Sequence, residues 1–207
     1  MTPRLCLIGG LILAALPAVA ADSDVLQRAE DAMHRSFSTA TEEEWRTRLA
    51  QDEVQALCSA HHNTPPPEIA ERIVAQSRTN IRYPDDGKLL GNWKEGEKLA
   101  SIGTGGHIGK IQPDRAGTRR GGNCYACHTM ATKEVAAGNL GPTLTGYGKR
   151  LGSSPETVKF VYEKVWNAQA FLPCSHMPRF GANGWLTPEE IAHAVAFLLD
   201  PESPVNR

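Results

Sequence analysis

The sequence predicts an all-α chain with long irregular connections, and three observations carry that reading. Capped segments with apolar residues at helical spacing recur along the chain. No run alternates apolar and polar residues as a half-buried strand would, and no internal repeat is present. At 207 residues the length suits one globular domain with room for an extra element.

The elements follow in order. Met1-Thr2-Pro3-Arg4 precedes an uncharged apolar run from Leu5 to Ala21, which ends in the small-residue pattern Ala18-Val19-Ala20. This reads as an export signal over residues 1–21, cut near Ala20 or Ala21. An uncleaved anchor is the alternative, with an apolar run at the lower edge of bilayer-spanning length. Cys6 leaves with the signal and does not stand at the cut, where a lipid-bearing cysteine would be. Residues 22–87 then read as a helical N-terminal extension. Thr41 and Glu44 form a capping box, and Trp45, Leu49, Ala56 and Leu57 continue it as a loose apolar stripe. Met33 falls in this region as a core methionine. Pro67 suits the first turn of a further helix bearing Ile69, Ile73 and Val74.

Residues 88–207 form the second region. Glycines crowd the stretch from Tyr83 to Asn123, where only Glu95–Ile102 reads as helix. Gly103, Gly105 and Gly106 lack the strand–turn–helix setting and the Lys-Ser/Thr ending of a phosphate cradle. Ser154-Pro155-Glu156 opens a helix with Val158, Val161, Tyr162 and Val165 on one face. Thr187-Pro188-Glu189-Glu190 opens another, carrying Ile191, Ala194, Val195, Leu198 and Leu199. The formal charge of −1 removes the electrostatic footprint of a nucleic-acid binder.

The chemistry is carried by Cys124-Tyr125-Ala126-Cys127-His128, a Cys-x-x-Cys-His haem attachment motif. Two thiols at that spacing can each form a thioether to one vinyl group on the same porphyrin edge, and the adjacent imidazole then falls under the iron. A thioredoxin-like pair would want a βαβ setting, and a zinc site would want a second ligand pair; neither is present. One motif implies one covalently bound haem c.

The second axial ligand separates a carrier from a catalyst. Met177 lies between the last two helices and before Pro178, which keeps it on extended chain. With His128 it would complete the His/Met ligation of an electron-transfer haem. His176 is a neighbouring rival and His107 a remote one, while Met130 is too close to His128 to reach the other face.

The motif, the segment Gly138–Leu144, the Met177-Pro178-x-Phe180 loop and the amphipathic last helix occur in the order seen in class I cytochromes c, and the chain resembles that family. The resemblance implies that the Pro142 carbonyl accepts the His128 ring N–H, and that Phe197 packs near Gly96. Val165–Phe171, Cys174–Gly181 and Leu198–Asn206 are similar to SoxX, the monohaem subunit family of the SoxAX complex, over about residues 88–206. That likeness implies a periplasmic redox subunit of a heterodimeric L-cysteine S-thiosulfotransferase. A SoxA-type cytochrome partner would carry the sulfur chemistry, joining thiosulfate to a cysteine of a SoxYZ-type carrier. The present chain would accept electrons and pass them to a small cytochrome c. Its alternative is a free-standing periplasmic electron carrier; a haem enzyme with an open iron site is disfavoured by Met177.

Cys58 and Cys174 remain. In an oxidising compartment they read as a disulfide, with a copper or zinc site of Cys58, His61, His62 and His176 as the alternative. Lys110, Arg115, Arg119 and Arg120, against Asp114 alone, read either as a solvated face or as a docking rim for an acidic partner.

Overall fold

The computed structural model describes residues 18–104, 115 and 117–207, with side chains from Asp24 onward except Arg48. The start of the predicted signal with Cys6, and also His107, Lys110 and Asp114, lie outside the described residues. Those described form helices and turns only, with no strand among them. Among them no helix is long and apolar enough to cross a membrane.

The chain divides into two compact units between Trp45 and Arg46. The first holds helix α1 (Ala18–Ser36) and the short α2 (Glu42–Glu44). Thr41 caps α2 through the predicted box with Glu44, and His34 stacks on Trp45 with ring centroids 3.5 Å apart. Met33 is 38 % exposed, so it is a surface residue rather than the core methionine that its spacing suggests.

A π-helical turn spans Trp45–Leu49, and the second unit continues with α3 (Glu53–Ala60) and α4 (Pro67–Thr79). The stripe predicted from Trp45 to Leu57 is therefore broken. Asp52 starts a new helix with its own capping box, bonding the Gln55 N–H at 2.9 Å while Gln55 Oε1 accepts from the Asp52 N–H. These residues are not part of a separate extension ending at residue 87. Val54, Cys58 and Ile73 share a small core with Cys174, Asn167 Nδ2 donates to Ser77 O, and Arg78 Nε donates to Ala170 O. The boundary falls at Trp45/Arg46 because from Val54 onward the helices bury their apolar residues against the later chain.

The main core is built where α5 (Trp93–Ser101) crosses α8 (Pro188–Leu199), with α7 (Pro155–Trp166) alongside. α5 begins slightly earlier than expected because Asn92 caps it, accepting from the Lys94 N–H at 2.9 Å. Leu99, Val161, Tyr162, Ile191, Val195 and Phe197 are all at most 4 % exposed. The crossing depends on Gly96. A Cβ there would lie 2.0 Å from His193 O and 2.7 Å from Phe197 Cβ. Gly96→Ala would gain up to about 1 kcal/mol of helix propensity but separate the two helices. The clash should win, with a net loss of about 2 kcal/mol or more. Urea unfolding measures it, and a variant as stable as the parent contradicts this packing.

α6 (Tyr147–Leu151) is a short helix without a sequence signature, held by the segment after α8. Asn206, 2 % exposed, accepts from Gly148 N–H at 2.8 Å and donates to Leu198 O and Asp200 O. Ser203, fully buried, donates to Phe197 O. The Asp200–Asn206 segment is thus a polar clasp joining α6 to α8.

Candidate functional site

The Cys-x-x-Cys-His motif hangs from the end of α5. Gly122 N–H donates to Leu99 O at 2.8 Å and Asn123 N–H to Ile102 O at 3.1 Å. Asn123 then takes a left-handed turn, φ +45°, a region in which asparagine is enriched. One 3₁₀ turn, Cys124–Ala126, follows. Cys127 and His128 both donate backbone N–H bonds to Cys124 O, which places both thiols and the imidazole on one tight turn.

The imidazole is oriented from its far side. His128 Nδ1 lies 2.7 Å from Pro142 O. A carbonyl only accepts, so Nδ1 carries the proton and Nε2 is left with its lone pair, the tautomer a metal ligand requires. The Gly138–Leu144 segment lies close along the motif: Gly141 N–H donates to Cys127 O, and a Cβ on Gly141 would sit 2.2 Å from the His128 ring. Only glycine permits this approach.

An apolar cleft opens beside the motif. Cys124, His128 and Met177 all border it, with Leu99, Phe180 and Phe197 among its walls. Burial pushes the Cys124 thiol up to about 11. A redox-active Cys-x-x-Cys pair needs the opposite shift, toward a stable thiolate, so the electrostatics disfavour a thioredoxin-like role. Cys124 and Cys127 are not joined to each other. Phe180, on the cleft wall, packs edge-on to Trp185. An apolar cleft bordered by Cys124, His128 in the right tautomer and Met177, with Cys127 on the same turn, suits a haem.

Of the rival residues that are described, Met130 alone borders the cleft. His176 is exposed and does not border the cleft. Met130 is 1 % exposed and lines the same cleft, on a chain already committed to the His128 turn. Cys58 and Cys174 are bridged, with Cα atoms 5.4 Å apart, so the Cys58 thiolate is not a ligand. Among the described residues no group of three His, Cys, Asp or Glu side chains could hold a metal. The basic residues before the motif are partly engaged: Arg119 pairs with Glu95 at 3.2 Å, and Arg120 donates to Gly184 O. A pair between Asp52 and Arg179, at 2.7 Å beside Met177, had no sequence signal because its members lie in distant segments.

A helical domain with these groups around one apolar cleft belongs to the class of electron-carrying haem proteins with a class I cytochrome c-like fold. Residues 92–200 match the family described as Cytochrome c. An uncharacterized lipoprotein of Aquifex aeolicus (strain VF5) is 41 % identical over 167 residues, covering 80 % of this chain and 78 % of that protein. A span of that length in this chain necessarily includes α3 and α4. The chain belongs to the cytochrome c family, and as in that family its cofactor is covalently bound haem c.

Proposed function

We propose that the chain is the monohaem, SoxX-type subunit of an extracytoplasmic SoxAX-like complex. The reading is carried by the Cys174–Gly181 segment, which resembles SoxX in sequence and borders the cleft through Met177 and Phe180. Cys124 and Cys127 would hold the haem by thioethers, and His128 Nε2 and Met177 Sδ would ligate its iron. When bound, the haem would supply a one-electron carrier, held on this chain by His128 and Met177. Pro142 fixes the His128 tautomer, and the apolar walls exclude water. Among the described residues bordering the cleft, no nucleophile would be left free for sulfur chemistry once Cys124 forms its thioether. A SoxA-type partner would therefore join thiosulfate to a SoxYZ-type cysteine, a bond whose formation releases two electrons, and this chain would relay them singly to a small cytochrome c.

Location in the periplasm rests on three supports. One is the export-signal pattern; the second is the disulfide, which persists in oxidising compartments. The third is that the Aquifex relative is called a lipoprotein.

The test is purification of the chain from its native host, followed by thiosulfate addition with a SoxYZ-type carrier. A co-purifying haem-bearing chain and thiosulfate-dependent haem reduction are the expected results. A monomer that thiosulfate leaves oxidised would identify a free-standing carrier instead.

A further inference from the structure

Two links run from α3 to the loop that carries Met177, and they flank that residue. Cys58, on α3, is bridged to Cys174, three residues before it. Asp52, the N-cap of α3, pairs at 2.7 Å with Arg179, two residues after it. The Arg179 side chain is only 12 % exposed, so its charge depends on this partner. Cys174 is held at φ +57°, a left-handed conformation that non-glycine residues rarely adopt unless their surroundings impose it.

Between the two links the backbone is sparsely bonded, whereas beyond them Gly181 and Ala182 N–H donate to Trp166 O, and Trp185 and Leu186 N–H to Phe180 O. From Phe171 to Thr187 the chain has turns and bends but no helix. The bonds of residues 175–178 are Ser175 N–H to Leu172 O at 3.1 Å, Met177 N–H to Ser175 Oγ at 3.3 Å and Gln169 Nε2 to Ser175 O at 3.4 Å. Segments with few internal bonds open locally at low free energy. A sparsely bonded stretch stays closed by its tethers, and these two come from a helix outside the 92–200 stretch that defines the family.

We propose that α3 is a two-point staple that holds the Met177 loop closed, with Asp52 and Cys58 as positioning residues for the axial thioether. This rests on the reading of Met177 as the iron ligand. Each tether removed raises the fraction of time that the loop is open, and with it the rate at which an external ligand replaces Met177.

The experiment uses the oxidised holoprotein and its variants Asp52→Asn, Arg179→Gln, Arg179→Lys and the double variant Cys58→Ser/Cys174→Ser. Asparagine keeps the helix cap while removing the charge. The readouts are the sulfur-to-iron charge-transfer band and the rate at which cyanide displaces the sixth ligand. Asp52→Asn and Arg179→Gln should each speed displacement about tenfold, equivalent to about 1.4 kcal/mol and in keeping with loss of a hydrogen bond between charged groups. Arg179→Lys should recover part of the slow rate. The double cysteine variant should be faster by about a hundredfold; if it yields no holoprotein, the charge variants decide alone. Parental displacement rates in Asp52→Asn and Arg179→Gln, with the band present in the parent, overturn the staple. Absence of the band in the parent, or its survival in Met177→Ala, overturns the ligand reading itself, which separates the two failures.

Discussion

A Cys124→Ala/Cys127→Ala chain is expected to carry no haem through denaturing electrophoresis or acid–organic extraction, while the parent retains it. The thioethers are the only bonds that survive unfolding, because axial ligation and cleft packing vanish with the fold. Each single variant should retain one thioether and a weakened stain. The double change should also destabilise the domain. Leu99, Phe180 and Phe197 wall the cleft, and without a covalently held group they lose a packing partner. A loss on the order of 5 kcal/mol would lower Tm by roughly 10–20 °C in a chain of this size. Haem that stays attached in the double variant would refute the attachment assignment.

Met177→Ala should produce the second large effect, on the potential rather than on attachment. A thioether opposite imidazole favours reduced iron, so its loss should lower the reduction potential by roughly 0.2 V, a modest share of the ~0.8 V that axial ligands command. The sulfur-to-iron band should disappear, and carbon monoxide should bind the reduced variant readily. His176→Ala is the paired control: the exposed imidazole does not border the cleft, and its removal should leave potential and band unchanged. A potential that follows His176 instead of Met177 would exchange their roles.

Much of this was legible in the sequence because the signals are local. The Ser154 and Thr187 caps sit beside the apolar faces they introduce, and α7 and α8 form there. The Cys-x-x-Cys-His turn is contiguous and carries its own chemistry. What escaped notice depends on distant chain. Asp52 and Gln55 form a capping box as regular as the one at Thr41, yet the loose apolar stripe from Trp45 to Leu57 runs across the break between the two helices. α6 is five residues long, too short to display a period. The boundary after Trp45 leaves no mark in composition, since it is set by Val54, Cys58 and Ile73 meeting Cys174 across the fold. The charge of Arg179 suggested no partner until the chain brought Asp52 beside it.

The bridge between Cys58 and Cys174 spans 116 residues, and both motif thiols lie inside the interval. Cysteines that reach an oxidant in chain order tend to pair with their nearest predecessors, so Cys58 meets Cys124 and Cys127 before Cys174 arrives. Any such early pairing removes a haem attachment point until thiol exchange, which takes seconds to hours, releases it. Maturation is therefore expected to need Cys124 and Cys127 reduced, or already capped by the cofactor, when Cys58 is oxidised. The yield of finished protein should then depend as much on the host's thiol-handling machinery as on the stability of the fold.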